Sequence, residues 1–522
     1  MHAASVVREC PGGVAGLEQA SDGVRRLRAL GTVAVQDREP LAVQLGLPVR
    51  DLVVRDAHRS WDRATSVGAG GPAVDQYGSL VHHLHQFQLA DCRHVGVGVQ
   101  PLDDAPRRDL QGEADRVLQL IQHLSVETLS AAIKGISHWI GEWHVQVFAS
   151  PVGLHVWLKI WPIAIVATNA EKPNEVSVGL SVFTRDDDEY EPTDLGAFNS
   201  PAGKLIGVFL SSCPSLIQEP DAFSADTTAR QMRDVLFDAT GRSELIVRYS
   251  LIARLPYFLH ADRDWAQKNL IIPLLRDGDA SLALWRAIAE RTHSTDVLRI
   301  IGDEMTVKAT DRRLSRRTRR RLVFSLVRES LFAFHEKRDP AVSNSQIQQM
   351  LRTLDDEVRA SAANAIVQIV PGLLEKDNQN YTGRSTELFQ SIAVPFFQDV
   401  WPQERSLVTA GVSKALASLP ATFGDAFAEA VETIERFLVP FESGSMVNYG
   451  FHNGNSDKKT LALINDKIKA KSFLRLLDLT IGSSDGAIIP HDLTDALKRI
   501  QTCAPGLVDS PAFLRLSTAA RR

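Results

Sequence analysis

The sequence predicts an all-α protein, an irregular α-solenoid or HEAT-like helical repeat array, preceded by a poorly structured N-terminal segment. Three observations lead to this prediction. From Ser125 onward, capped amphipathic segments follow one another with short connections between them. One helix–turn–helix unit, between residues 345 and 370, has the order of side chains that is typical of HEAT repeats. Finally, no Lys or Asn occurs before Lys134, whereas both residue types are ordinary after it.

The bulk composition limits the classes of function. With 522 residues the chain is long enough for several domains and a sizeable apolar core. Its net charge of −5 is small for this length and argues against a general nucleic-acid or membrane-surface binder. The four cysteines form no C-x-x-C pair, so we expect neither a zinc site nor a disulfide framework. No apolar run has the length of a membrane span, and we expect a soluble, cytoplasmic protein.

Residues 1–123 differ most from the rest of the chain, because they keep neither a helical nor a strand period for long. The codons of Lys and Asn share their first two bases, so a shifted or opposite-strand reading of a GC-rich gene would remove both residue types. We therefore interpret residues 1–123 as a non-homologous or mis-called extension. The alternative is a genuine domain of unusual composition. Its glycine-rich segment (68–71) and its histidine cluster (82–85) lack the flanking elements of a dinucleotide loop and of a metal site.

Residues 124–300 are predicted to form a helical domain. Ser125 is placed to cap a helix whose apolar positions recur every three or four residues, and Ser200 with Pro201 begins another. A helix from residue 154 to residue 166 is expected to kink or restart at Pro162. The tryptophans of this part lie on apolar helix faces, so we expect them in the core.

Residues 301–442 are predicted to hold HEAT-like repeats, and residues 345–370 form the one convincing unit. Its first helix ends at Asp355-Asp356, and its second carries Arg359 followed by the small pair Ala362-Ala363. Small residues allow close helix stacking, and the Asp and Arg side chains would tie successive turns together. An exposed loop rich in Gly, Asn and Ser is expected at 443–459, and a C-terminal helical cap at 460–522.

A run of arginines is the most concentrated charge in the chain. Its members are Arg312, Arg313, Arg316, Arg317, Arg320 and Arg321. They form two rows with i, i+4 spacing, so on a single helix the six guanidinium groups would cover one broad face that could bind nucleic-acid phosphates. The other interpretation is a solvated face that pairs with acidic residues such as Asp303, Glu304 and Glu329. No interleaved aromatic residues support base stacking.

Four phrases of the sequence carry a resemblance to a known family. They are Ile136-Ser-His-Trp-Ile, Asn199-Ser-Pro-Ala-Gly-Lys-Leu, Leu255-Pro-Tyr-Phe-Leu-His-Ala-Asp-Arg-Asp-Trp-Ala and Val400-Trp-Pro-Gln-Glu-Arg-Ser. They resemble the helical C-terminal region, a domain of unknown function, of large bacterial sirtuin-like anti-phage defence proteins. In that family a sirtuin-like domain hydrolyses NAD when phage components are sensed, and the helical region is associated with sensing or assembly. This chain lacks the family's Gly-Ala-Gly-x-Ser loop and Gln-Asn-x-Asp motif, so the resemblance implies the scaffold and no catalytic residue.

The sequence and the resemblance together predict a non-enzymatic helical-repeat sensor or scaffold of a prokaryotic anti-phage system. Its partner would be a protein, either an effector subunit or a phage component. No catalytic, cofactor-binding or metal-binding residue is assigned. Two alternatives remain: a nucleic-acid-associated protein that uses the Arg312–Arg321 face, and an NAD-consuming enzyme with an unrecognised site in residues 1–123.

Overall fold

Helices account for all the regular structure that is described. The computed structural model describes residues 109–171, 199–375, 381–451, 460–484 and 486–521, and in these ranges it contains no strand. The predicted all-α array is therefore confirmed. All the described residues belong to one compact unit. Among them, no helix combines the length and the apolar character that a membrane span needs.

The α-helices follow one another along the whole described chain. They are α1 Leu110–His123, α2 Val126–Glu142, α3 His144–Ala149, α4 Gly153–Ala170, α5 Pro201–Ser212, α6 Thr228–Leu236, α7 Gly241–Ile252, α8 Leu255–Ala261, α9 Arg263–Ala266, α10 Ile272–Leu275, α11 Asp279–Ala289, α12 Thr295–Thr310, α13 Arg316–Glu336, α14 Asn344–Thr353, α15 Asp356–Glu375, α16 Tyr381–Leu388, α17 Ala410–Leu416, α18 Leu419–Thr422, α19 Phe427–Ile434, α20 Lys467–Thr480, α21 Leu493–Cys503 and α22 Pro511–Ala519. Short π-helical segments are Gln267–Ile271, Phe389–Ala393 and Phe396–Val400. Short 3₁₀ segments are Arg405–Leu407, Gly424–Ala426, Glu435–Phe437, Met446–Tyr449, Leu461–Leu463 and Pro505–Leu507.

Hydroxyl side chains determine where several of the longer helices begin. The Oγ atom of Ser125 accepts a hydrogen bond from the Thr128 amide at 3.2 Å, and Ser200 caps α5 in the same way, as the sequence predicts. Of the kink or restart predicted at Pro162, the restart is wrong, because α4 continues through this residue. Pro162 lies on the exposed side of α4, where water can satisfy the carbonyl that loses its amide donor.

Ten of the described α-helices and one π-helical turn form two layers. In layer B, each helix contacts the next in the series α2, α5, α7, α11, α13, α15 and α17. In layer A, α8 contacts α12, α12 contacts α14, and α14 contacts the π-helical turn Phe396–Val400. Contacts of α13 with α12 and with α14 join the two layers. Helix pairs stacked in this manner are the arrangement of an α-solenoid. At the C-terminal end, α20 contacts α19, α21 and α22.

The structure reveals a second HEAT-like turn, which the sequence did not predict. Arg319 in α13 and Arg359 in α15 lie forty residues apart, each four residues after the first capping position of its helix. Both guanidinium groups are buried and donate to a backbone carbonyl of the turn before the helix, that of Leu314 or Leu354. Arg319 also bonds Asp355 at 2.5 Å, and Arg359 bonds Asp356 at 2.8 Å. The Arg319–Asp355 pair confirms the predicted tie between successive turns, whereas the Arg359–Asp356 pair lies within a single turn.

Two predicted boundaries change. Helix α1 lies inside the predicted extension 1–123, yet it contacts α3 and α4. Its apolar residues recur at helical spacing from Ala114 to Ile121, and Asp109 caps it, so the array begins before residue 124. Of the exposed loop that we expected at 443–459, residues 452–459 lie outside the described residues, and residues 443–451 are partly buried. Met446 and Tyr449 are buried there, because Asp492 accepts hydrogen bonds from this segment and holds it against the array.

Candidate functional site

The predicted six-arginine face is divided by the start of α13. Ser315 is the N-cap of this helix, and its Oγ atom accepts a hydrogen bond from the Thr318 amide at 3.1 Å. Arg312 and Arg313 therefore lie in the preceding turn rather than on the helix. The prediction of two continuous helical rows is wrong, because a serine with a hydroxyl cap interrupts them. The four helical members of the run are Arg316, Arg317, Arg320 and Arg321.

Carboxylates pair with four of the six arginines. Arg313 lies 2.7 Å from Asp311 and 3.0 Å from Asp277, and its hydrogen bonds lower the pKa of both carboxyl groups. Arg316 and Arg320 share the Oε2 atom of Glu357, at 2.8 and 3.3 Å.

Arg321, the fourth of these arginines, pairs with Glu290 at the end of α11. Arg312 and Arg317 are exposed and make no ion pair with the residues that the structure describes. The surface therefore carries charges of both signs.

The acidic partners that the sequence predicts for this run are wrong. Asp303 accepts a hydrogen bond from Gln346, and Glu304 pairs with Lys308 on its own helix. Glu329 is buried and bonds Arg338 at 2.6 Å. These three residues lie elsewhere in the array, since the turn between α12 and α13 reverses the chain. Sequence proximity therefore did not identify the spatial neighbours.

A cleft of about 250 Å³ opens between α13 and α15, beside the arginines. Its lining residues are Arg320, Arg321, Phe324, Ser361, Asn364 and Gln368. Three of them lie on one stripe of α13 and three on one stripe of α15. The buried residues Ala362 and Ala363 have small side chains, which let the two helices approach closely. The close approach brings the two polar stripes together at the surface.

Sequence reasoning found the two arginines of this cleft and missed the other four residues. Asn364 and Gln368 are exposed, and with Ser361 they recur at the spacing of one helix face. A polar row that flanks a buried row of small residues was the available signal. This polar row indicates a cleft only once α13 is known to lie beside α15.

Other reactive groups of the described residues give weaker support for a functional site. Burial raises the pKa of the Cys213 thiol to about 12, so a nucleophilic thiolate is disfavoured there. The Nζ atom of Lys204 lies 3.3 Å from Nδ1 of His138, and burial lowers the pKa of both groups. The described residues hold no group of three His, Cys, Asp or Glu side chains placed to bind a metal ion. The segments 68–71 and 82–85 lie outside the described residues.

Comparison with known proteins gives one distant relative. No family model and no solved structure matches the chain. A stretch of 307 residues, 58% of this chain, is 24% identical to "Uncharacterized protein y4cA" of Sinorhizobium fredii (strain NBRC 101917 / NGR234). The match covers 24% of that protein, so the chain spans about a quarter of the relative's length. The relation to sirtuin-like defence proteins stays a prediction.

Proposed function

We propose that this chain is a non-enzymatic helical scaffold, which binds a protein partner along layer B in a prokaryotic anti-phage system. The cleft between α13 and α15 is the observation that carries the proposal. It lies on a surface where adjacent helices present guanidinium, carboxylate, amide and aromatic groups side by side. Stacked-helix proteins use extended surfaces of this kind for recognition.

The anti-phage setting rests on the resemblance of the four sequence phrases alone. The partner-binding role has separate support from the structure. In the relative, the matched stretch makes up only 24% of a longer protein, which supports a scaffold that works beside other domains. A plaque assay with and without the locus tests the setting, because deletion should raise the plaquing efficiency of at least one phage. Unchanged plaquing across a broad phage panel would contradict it.

Site-specific photo-crosslinking tests the partner-binding role. A photoreactive phenylalanine derivative replaces Asn364 in the cleft, and in a control variant it replaces Gln349, which is exposed on α14 in layer A. We expect one protein to be cross-linked reproducibly at Asn364 in the native cell and to be absent at Gln349. Equal cross-linking at both positions, or none at Asn364, would contradict the assignment of the surface.

Nucleic-acid binding is the second candidate, and it is favoured by the exposed guanidinium groups of Arg312 and Arg317. Such binding would weaken with salt, and the slope would fall when either arginine is removed. The carboxylates beside the other four arginines favour the protein partner. The third alternative, an NAD-consuming site, was predicted for residues 1–123, most of which lie outside the described residues.

A further inference from the structure

The two arginines of the cleft already bind carboxylates of their own chain, one from each neighbouring helix. Arg320 pairs with Glu357 on the side of α15, and Arg321 pairs with Glu290 on the side of α11. The side chains of Glu357 and Glu290 are 52% and 45% exposed. Ion pairs with this exposure contribute little to stability, because water and salt compete for both charges. An external carboxylate can therefore replace either one.

We infer that this cleft binds an extended acidic peptide segment of the partner protein, whose carboxylates exchange with Glu357 and Glu290 on Arg320 and Arg321. The inference rests on the proposed scaffold function and adds the chemical class of the ligand. A guanidinium group matches a carboxylate through two parallel hydrogen bonds, which supplies both orientation and binding energy.

The remaining lining residues suit a peptide as well. Each carboxamide of Asn364 and Gln368 has two donors and an acceptor, so it can bond the amide and carbonyl groups of an extended backbone. Phe324 is the one aromatic side chain among the lining residues and offers a surface for an apolar ligand side chain. The cleft therefore selects a segment in which acidic and apolar residues are mixed.

Charge distribution favours a peptide over a nucleic acid. A polynucleotide carries a regular series of phosphates, and it would meet the carboxylates of Glu357 and Glu290 next to the arginines. Binding to single strands also depends on several aromatic platforms, whereas the cleft presents a single ring. A peptide can place its few carboxylates only where the guanidinium groups lie.

The test uses the full chain and a fluorescein-labelled peptide of alternating aspartate and leucine residues, measured by fluorescence anisotropy. The double variant Arg320→Glu/Arg321→Glu should weaken binding by about tenfold or more, since two charge-assisted contacts become repulsive. The double variant Arg312→Glu/Arg317→Glu is the matched control. It makes the same change of charge nearby but on residues that do not line the cleft, so it should weaken binding clearly less than the cleft variant does.

A second variant checks the exchange of carboxylates. Glu357→Gln removes the internal competitor of Arg316 and Arg320, so affinity for the acidic peptide should rise by about two- to fivefold. Glu404→Gln makes the same charge change where Glu404 pairs with Arg352 of layer A, and it should leave affinity unchanged. Both glutamates are exposed enough for neutral replacements to fold.

The other outcomes of these binding measurements would each contradict the acidic-peptide inference. No binding of the aspartate–leucine peptide by the wild-type chain overturns the inference, and so does equal binding of a peptide with asparagine in place of aspartate. Equal losses in the two arginine variants, together with tighter binding of labelled oligothymidylate, would assign the surface to nucleic acid instead. A cross-link at Asn364 without peptide binding would leave the scaffold proposal in place and reject only the acidic ligand.

Discussion

Two regions of the array use different side chains to bond the backbone carbonyls at helix ends. In the first region, α1 to α11, two buried indoles donate to carbonyls in the last turn of another helix. Trp161 bonds the Val235 carbonyl at 3.0 Å, and Trp285 bonds that of Leu274 at 3.1 Å. In the central region, α12 to α15, buried guanidinium groups have this role.

Arg359 of the central region donates to the carbonyls of Leu351 and Leu354 at the end of α14. Helix ends leave carbonyls without intrahelical donors, and a buried carbonyl without a partner destabilises the fold. Both regions therefore supply the donor from a neighbouring helix. The indole fills a large apolar volume, whereas the guanidinium adds a tie to carboxylates of the turn. The first region therefore depends more on packed volume and the central region more on polar geometry.

The largest effect should come from Trp161→Ala. This substitution removes a fully buried ring and its hydrogen bond, so we expect the free energy of unfolding to fall by about 3–5 kcal/mol. Trp161→Phe keeps most of the volume and should cost about 1–2 kcal/mol. Urea denaturation measures both, with the exposed Val145→Ala as a control that should be nearly neutral. If the phenylalanine variant is as unstable as the alanine variant, volume does not dominate in the first region.

The second-largest loss of stability should come from removing the buried guanidinium groups of Arg359 and Arg319. Arg359→Leu leaves two buried carbonyls without this donor, and we expect a loss of about 2–4 kcal/mol in unfolding free energy. Arg319→Leu should behave alike, because its side chain holds the equivalent position one repeat earlier. Arg352→Leu is the control, since its pair with Glu404 is exposed and its loss should be nearly neutral. A neutral Arg319→Leu with a damaging Arg359→Leu would show that the two turns are not equivalent.

The sequence predicted the helices better than their contacts. Cap residues and periodic apolar positions are local signals, and they predicted the starts at Ser125 and Ser200. The second HEAT-like turn was not predicted for two reasons. Ser315 stands at the position that Asp355 has in the other turn, and the buried Arg319 belongs to a run of arginines that is mostly not buried, so the sequence did not distinguish it.

The amino-acid composition predicted too late a start for the helical array. The stretch without Lys and Asn includes α1 and the first part of α2, both of which pack in the first region. Amphipathic spacing in α1 was the better signal. At the candidate site, the arginines were visible in the sequence. Their partners Glu290 and Glu357 and the polar stripe of α15 were not, because these depend on which helices lie side by side.

A smaller change in stability is expected when a glycine is replaced by alanine in each of the two regions, because the two glycines differ in how closely they are packed. A Cβ atom on Gly302 of α12 would lie 2.3 Å from Cγ2 of the buried Val342, so Gly302→Ala should destabilise by about 1–2 kcal/mol. Gly207 of α5 has open space at this position, and Gly207→Ala should stabilise by about 0.5–1 kcal/mol through helix propensity. Thermal unfolding measures both. Val342→Ala should recover part of the loss in the Gly302 variant, and failure to do so would place the strain elsewhere.

The smallest effect lies at the junction of the two regions, in the turn between α11 and α12. Nε2 of the buried His293 lies 2.7 Å from the Ile288 carbonyl, and burial lowers the pKa of the imidazole below its ordinary value of 6.5. Nδ1 is buried and has no hydrogen-bond partner among the described residues, so a proton there would be poorly solvated. The unfolded chain takes up this proton more readily than the folded chain. Stability is therefore full above about pH 6.5 and declines as the pH falls through the window between the two pKa values.

His138 contributes in the same direction within the first region, because burial and the charge of Lys204 lower its pKa. The two histidines can be separated by His293→Gln and His138→Gln, each compared with the wild type by urea denaturation at about pH 7.5 and about pH 5.5. Each substitution should flatten part of the decline in stability. His293→Gln should also reduce acid-induced hydrogen exchange in α11 and α12 together, because its imidazole lies between them. An unchanged pH dependence in the His293 variant would mean that the junction does not sense protonation, and that the acid response belongs to the first region alone.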